Sequence, residues 1–244
     1  MENETLVEGS STGDFTKIYI AIIVVLITLV LFLIYRSRTV RRRSILLTGL
    51  CNSGKTVLFA RLVHGQLIKT FTSMKENTGE YAINGSSLKI IDIPGHERVR
   101  DKFFDQYKPE AKAIVYVVDS TLIQEEIRDI AEYLYNILSC PDIANNKINV
   151  LILCNKRDIS ASKDWSTVKT MLERELTTLQ ITKSSQLEFV DPKIKKSSLL
   201  VDGETFQFGL MSSIKVDFLD CNATTTEDGS PNLKGLEKWL SNIV

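Results

Sequence analysis

The sequence predicts a doubly wound α/β domain with a six-stranded, mostly parallel sheet, preceded by one transmembrane helix. Three observations predict this fold class. Apolar segments with strand character alternate with helix-compatible segments, a phosphate-binding loop pattern follows the first predicted strand, and an uncharged apolar run precedes both. Continuous apolar segments such as 113–118 are typical of a parallel sheet that is covered on both faces.

The apolar run covers residues 18–35 and contains no charge, glycine or proline. As a helix it would extend roughly 27 Å, at the short end of the lengths that cross a bilayer. Residues 1–17 carry four acidic side chains and one lysine, whereas residues 36–43 carry five arginines. This asymmetry predicts an N-terminus outside the cytosol, where Asn3 begins a glycosylation sequon, and a cytosolic domain. The alternatives are a buried soluble helix or a cleaved signal peptide for the run, and a nucleic-acid or nuclear-targeting patch for the arginines.

The domain is predicted to occupy residues 44–244. Its strands are predicted at 44–48, 80–83, 88–92, 113–119, 149–154 and 215–221. Its helices are predicted at 55–63, 97–107, 124–138, 166–179 and 233–243. Asn84-Gly85 separates the second and third strands, and this hairpin signal makes the second strand an antiparallel edge strand.

The segment 49–56 reads G-L-C-N-S-G-K-T and fits the phosphate-binding pattern G-x-x-x-x-G-K-[ST]. Glycine is needed at both ends because the backbone turns tightly and its amides must approach phosphate without a Cβ in the way. Lys55 is predicted to reach the β and γ phosphates, and the hydroxyl of Thr56 to bind Mg²⁺. The residues predicted to bind nucleotide in this segment are Gly49, Asn52, Ser53, Gly54, Lys55, Thr56 and Val57.

Further motifs stand at the ends of three other predicted strands. Asp92-Ile93-Pro94-Gly95 fits D-x-x-G, which predicts that Asp92 reaches Mg²⁺ and that the amide of Gly95 meets the γ-phosphate. Asn155-Lys156-Arg157-Asp158 fits N-K-x-D, with Lys156 along the base and Asn155 bracing the loops. Asp158 favours GTP over ATP, because its carboxylate can accept both hydrogen bonds that guanine offers and adenine does not. Ala223 is predicted to face the base from the last loop.

Composition limits the other classes of function. The 30 basic and 30 acidic residues give no net charge, so direct nucleic-acid binding is not expected. The four cysteines are scattered and indicate neither a disulfide framework nor a metal cluster.

The ordered motifs resemble those of small GTPases of the Arf/Sar type. Together with the N-terminal anchor, the chain closely resembles the β subunits of the signal recognition particle receptor, and this resemblance also covers a longer stretch, about 182–210, where that family carries an insertion. It implies a P-loop GTPase domain at the endoplasmic reticulum membrane, with a lumenal N-terminus. It also implies GTP and Mg²⁺ as cofactors, and the receptor α subunit, through its N-terminal domain, as a GTP-dependent partner in cotranslational protein targeting.

Two departures from the small GTPase pattern leave roles open. His96 stands where many relatives have a water-orienting glutamine, so it is either the catalytic residue of a slow GTPase or an effector contact. Lys75 falls near the usual Mg²⁺-binding threonine, and Thr72, Ser73 or Thr78 could supply that hydroxyl instead. Two alternative functions also remain: an Arf/Sar-like GTPase in coat assembly, and an anchor that keeps GTP as a structural element without significant hydrolysis.

Overall fold

The computed structural model describes residues 11–37, 42–83, 85–190, 205–224 and 231–243, and within these the side chains of 11–16, 33–37 and 184–190 are excluded. The chain divides into two compact units, Met1–Arg41 and Arg42–Val244. Most of the predicted lumenal segment, including Asn3, and half of the arginine-rich linker lie outside the described residues.

The described part of the first unit, residues 11–37, is one helix, α1 (Ser11–Ser37). The predicted span 18–35 lies inside α1, and its described side chains, as far as Phe32, are all exposed. Over the described residues, no helix combines the length and the apolarity that crossing a membrane requires.

The second unit is a six-stranded sheet with helices on both faces. Its strands are β1 (Ser44–Thr48), β2 (Asn77–Ile83), β3 (Ser86–Asp92), β4 (Ala111–Asp119), β5 (Asn149–Asn155) and β6 (Val216–Asp220). Its helices are α2 (Lys55–His64), α3 (Glu97–Tyr107), α4 (Ile123–Leu138), α5 (Pro141–Asn145), α6 (Trp165–Val190) and α7 (Lys234–Ser241). The strand order is β2-β3-β1-β4-β5-β6, and among the pairings of these described strands only β2–β3 is antiparallel. This arrangement confirms the predicted fold class and the edge hairpin, in which Ile83 pairs with Ser86.

Strand β4 shows why the sheet is covered on both faces. Ile114, Tyr116 and Val118 enter one core layer, with α4 and α6, while Val115 and Val117 enter the other, with α2 and α7. Because side chains alternate along a strand, an unbroken apolar run supplies both layers at once. Because all of these strands except β2 run parallel, their carboxyl ends lie at one common edge of the sheet, and the loops that follow them start there.

The helix α6 is longer than predicted and shifts the start of the predicted insertion. We expected it to end at Leu179, but it continues to Val190. No glycine or proline interrupts 179–190, and Thr182 bonds back to the carbonyl of Thr178 at 2.9 Å, so nothing local stops the helix. The insertion, predicted at about 182–210, thus begins within a helix. Residues 191–204 lie outside the described residues. Phe206, near the end of the predicted insertion, is buried in the same core cluster as residues of α6.

Candidate nucleotide-binding site

The loops after β1, β3 and β5 meet at one edge of the sheet around a cavity of about 480 Å³. Its lining comes from the phosphate loop and the start of α2, from segment 70–73, from segment 93–95 and from Lys156. Ligands of open α/β sheets bind at such strand ends, beside the point where the strand order reverses. Motifs more than 100 residues apart in the sequence, such as Lys55 and Lys156, thus line a single cavity.

The phosphate loop has the backbone that its glycines predict. Gly49 has φ +138°, and a Cβ there would lie 2.2 Å from the carbonyl oxygen of Val117. Gly54 has φ +92°, directly before the first residue of α2, and Asn52 has φ +58°. The amides of the first turn of α2 have no acceptor within the helix, so the loop ends in a group of donors suited to an anion.

Lys55 folds back over this loop. Its Nζ donates to the carbonyl of Leu50 at 2.5 Å and to the hydroxyl of Ser53 at 3.3 Å, and the residue is only 5% exposed. Burial lowers the pKa of Lys55 to about 8, although the nearby Asp92 carboxylate opposes the shift. In its charged form, the buried ammonium of Lys55 would attract an anion that enters the cavity.

A cluster of oxygen atoms lies beside Lys55. Oδ2 of Asp92 accepts hydrogen bonds from Thr56 at 2.8 Å and from Asn77 at 2.9 Å, while its Oδ1 is buried without a partner. Burial raises the pKa of Asp92, and the hydrogen bonds from Asn77 and Thr56 oppose that shift. The hydroxyl of Ser73 lies 3.4 Å from that of Thr56. An orphaned carboxylate oxygen is costly in a buried position unless a cation or donor reaches it.

This donor set fits Mg²⁺ better than a transition metal. Among the described residues, no group of three or more His, Cys, Asp or Glu side chains could hold a metal ion by itself. Two hydroxyls and one carboxylate are hard oxygen ligands, and Mg²⁺ takes such ligands together with phosphate and water.

Of the three hydroxyls proposed for the first switch, the structure brings two to the cavity. Thr72 and Ser73 line the cavity. Of the three candidate residues, Ser73 is the one whose hydroxyl is hydrogen-bonded to that of Thr56. Thr78 lies in β2 opposite Ile91, with its side chain exposed. Lys75 is also exposed and does not line the cavity.

Gly95 brings the end of β3 against the phosphate loop. A Cβ at this position would lie 2.7 Å from the backbone nitrogen of Cys51 and 2.7 Å from Nζ of Lys55. His96, the next residue, turns away to cap α3, where its Nδ1 accepts a hydrogen bond from the amide of Arg98 at 3.3 Å. The structure therefore places Gly95 in the cavity wall, while His96 is absent from the lining.

Asn155 and Lys156 connect the loop after β5 to its surroundings. Asn155 is buried; its Nδ2 donates to the carbonyl of Ser53 at 2.8 Å, and its Oδ1 accepts from the thiol of Cys221 at 3.4 Å. Lys156 has φ +64°, and its Nζ lies 2.6 Å from Oδ2 of Asp119. Burial alone would raise the pKa of Asp119, but hydrogen bonds from Lys156 and Thr121 lower it below its ordinary value.

Asp158 and Ala223 lie in adjacent loops. The exposed Asp158 accepts a hydrogen bond from the hydroxyl of Thr224 at 2.8 Å. Ala223 is buried, and its carbonyl accepts from Nε of Arg61 at 3.1 Å. Asn222, which stands where small GTPases usually have serine, accepts from the amide of Asn232 at 2.7 Å and so closes its own loop.

Three contributors to the site were absent from the sequence prediction. Asn77 supports Asp92, Asp119 pairs with Lys156, and Arg61 holds the carbonyl of Ala223. Asp119 ends an apolar strand, as Asp92 does, and this position could have identified it. Asn77 and Arg61 have no comparable pattern.

The comparisons with known proteins agree with this geometry. A family model described as the signal recognition particle receptor beta subunit matches residues 40–214. The human signal recognition particle receptor subunit beta is 40% identical over 234 residues, which cover 93% of this chain and 86% of that protein. The chain belongs to the signal recognition particle receptor beta subunit family.

Solved structures extend this relationship to three dimensions. A structure of the mammalian SRP receptor matches with a TM-score of 0.73 and 40% identity, over 83% of this chain and all of that chain. The receptor protein SRb-GDP-Mg of Chaetomium thermophilum matches with a TM-score of 0.63 over 85% of this chain and all of that chain, and at 21% identity this likeness shows the fold alone. The family match includes the phosphate loop and Asn155 to Asp158, whereas Ala223 lies beyond it.

Proposed function

We propose that this chain is the GTP-binding β subunit of a signal recognition particle receptor, and that it holds the receptor α subunit at the endoplasmic reticulum membrane when GTP is bound. The observation that carries the proposal is the convergence, in a chain of this family, of Lys55, Thr56, Gly95 and Lys156 on one cavity. Arf-type coat assembly is less well supported, because the family model that matches residues 40–214 is that of the signal recognition particle receptor beta subunit.

The fit of the side chains supports a guanine nucleotide with Mg²⁺. Lys55 and the amides of the phosphate loop and of Gly95 would hold the phosphates. Asn155, Lys156, Asp158 and Ala223 would hold the base, with the carboxylate of Asp158 selecting guanine. Bound Mg²⁺ would neutralise part of the charge on the β and γ phosphates.

Thr56, Asp92 and Ser73 would hold the metal. Ser73 is the candidate for the first switch because its hydroxyl already lies 3.4 Å from that of Thr56. The unpartnered Oδ1 of Asp92 would gain its missing partner from the hydrated cation. A hydroxyl ligand on a coil segment, rather than in a strand, would allow that segment to leave when the γ-phosphate is absent.

The surface beside the cavity suits a protein partner. Phe71 is 81% exposed and Met74 is 57% exposed, and both belong to the coil that carries Ser73. Arg98 is exposed at the start of α3, whereas Tyr81 in β2 is partly buried against the core beside α2 and is less suited to docking. Exposed large apolar side chains next to a nucleotide-sensitive segment are typical of a docking surface.

We also propose that α1 anchors the chain in the membrane, with residues 18–35 as the single span and the domain in the cytosol. The uncharged composition of that run and the five arginines that follow it support this arrangement. The anchor would make the protein a permanent resident of the membrane, with no cycle of attachment and release.

Hydrolysis of GTP would be slow. His96 uses its Nδ1 to cap α3, so the cap must open before this ring could align a water molecule through that atom. Single-turnover hydrolysis by the wild type and by His96→Ala, measured with and without the α-subunit domain, would separate two alternatives. A catalytic His96 predicts a loss of rate in His96→Ala, whereas a GTP-bound structural anchor predicts no such loss.

The test of the whole proposal uses the full chain in detergent and the isolated N-terminal domain of the receptor α subunit. We expect that domain to bind the GTP-loaded form much more tightly than the GDP-loaded form. Met74→Ala, at a position outside the cavity lining, should weaken this binding with GTP affinity unchanged, while Lys238→Ala, exposed on α7, should change neither. Equal binding to both nucleotide forms would overturn the switch, and selective capture of a coat component would favour the Arf-type alternative.

A further inference from the structure

An arginine in the first turn of α3 is largely buried, and its ion pair with a carboxylate is long and exposed. The Arg100 side chain is only 16% exposed, and its buried Nε has no hydrogen-bond partner. The carboxylate that pairs with it, that of Asp101, lies 3.7 Å from Nε and is itself 67% exposed. A buried cation in this setting is costly, so its surroundings must replace the lost hydration in another way.

That replacement is an aromatic ring. The guanidinium carbon of Arg100 lies 4.3 Å from the centroid of the Tyr133 ring on α4. Tyr133 is 1% exposed, and a second ring, Tyr116, lies 5.8 Å behind it. A cation over an aromatic face is attracted by the ring quadrupole, and the attraction is stronger where water is excluded.

The ring also reaches the phosphate loop. The hydroxyl of Tyr133 lies 2.6 Å from that of Thr48, which is buried and ends β1 immediately before Gly49. On the other side, the amide of Arg100 donates to the carbonyl of His96 at 2.9 Å, one residue after Gly95. A continuous set of contacts therefore joins the first turn of α3, through Arg100 and Tyr133, to the base of the phosphate loop.

The electrostatics agree with this proximity. Burial is the main cause of the lowered pKa of Lys55, and the positive charge of Arg100 adds to it. Arg100 is thus close enough to affect the phosphate-binding lysine, although it does not line the cavity.

We propose that Arg100 is a positioning residue: its stack on Tyr133 holds the first turn of α3, and with it Gly95, in the place where the site distinguishes GTP from GDP. The inference rests on the proposed function, because Gly95 would meet only the γ-phosphate. Loss of the stack would therefore weaken GTP binding selectively, while GDP, which does not extend to Gly95, would bind as before.

The test compares equilibrium affinities for GTP and GDP on the full chain in detergent. Arg100→Met removes the cation and keeps a long apolar side chain, and Lys102→Met, exposed on the same helix, is the matched control. From the strength of a cation–π contact we expect the ratio of GTP to GDP affinity to fall between about twofold and about 30-fold in Arg100→Met, and to stay unchanged in the control. Tyr133→Phe keeps the ring and should preserve most of the ratio.

A double variant and the thermal midpoint separate positioning from a loss of stability. Arg100→Met should add little to the change in ratio caused by Tyr133→Leu, because the two side chains form one contact. A merely structural role would lower the thermal midpoint and leave the affinity ratio unchanged, and that result would overturn the inference. If the wild-type chain bound neither nucleotide, the proposed function itself would fail, which is a different outcome.

Discussion

The buried ammonium of Lys55 makes a quantitative prediction about pH. In the nucleotide-free protein its pKa is lowered from 10.5 to about 8, mainly by burial, which corresponds to about 3 kcal/mol against the charged form. Bound phosphates would stabilise the ammonium and raise its pKa again, so nucleotide binding should take up a proton once the pH exceeds about 8. If Lys55 stays protonated in the complex, its protonated fraction in the free protein predicts that affinity falls by about eightfold between pH 7.5 and pH 9.

The assay is an equilibrium titration of GDP at several pH values, combined with calorimetry in buffers of different ionisation enthalpy to count protons. Proton uptake should approach one per nucleotide toward pH 9. Lys55→Met should bind more weakly at every pH and lose this dependence on pH. The reasoning fails if the wild-type affinity is constant over this range, or if Lys55→Met retains the same slope.

Three other predictions concern separate parts of the chain. Asp158→Asn should weaken GTP binding by about 1–3 kcal/mol and shift preference toward XTP, because an amide replaces an acceptor; unchanged discrimination would mean that another residue reads the base. Ser73→Ala should reduce the Mg²⁺ dependence of GTP binding, while Thr78→Ala, in β2, should not; the opposite pattern, measured by titrating Mg²⁺, would move the switch hydroxyl to Thr78. Deleting residues 1–35 should leave GTP affinity within about twofold of the full chain, since Arg42–Val244 is a compact unit, and it should remove the protein from membrane pellets; a large loss of affinity on deletion would contradict the separation of anchor and switch.

The parts of the fold that could be predicted from the sequence depend on local patterns. An unbroken apolar run such as Ala113 to Val118 has few structural solutions, and the short spacing from Gly49 to Thr56 confines a phosphate loop between a strand and a helix. Asp92 ends a strand next to β1, so parallel pairing brings it within 2.8 Å of Thr56. In each case the short-range pattern and the sheet topology point to the same arrangement.

Contacts that depend on the path of a coil or on strand register could not be predicted. Asn77 reaches Asp92 because β2 and β3 pair in one particular register, which no local motif specifies. The proximity of the Ser73 hydroxyl to Thr56, on which we base its proposed role, depends on the path of a segment without regular periodicity. The stack joins Arg100 on α3 to Tyr133 on α4, two residues 33 positions apart in the sequence. An arginine in an amphipathic helix would ordinarily be assigned to the solvent face.

Asn155 and Asp158, only three residues apart, differ in how freely evolution could alter them. Asn155 is enclosed: a Cβ at Gly54 would lie 2.2 Å from its Nδ2, and its amide is bonded to Ser53 on one side and to Cys221 on the other. A change there would displace two loops at once. Asp158 is exposed, and within the described part of the chain its hydrogen-bond partner is Thr224. If Asp158 reads the base, as we propose, a substitution there would alter the choice of base and leave the framework in place. Descendants of this protein could therefore acquire a new nucleotide preference in a single step, whereas the frame that holds any nucleotide could change only through several compensating substitutions.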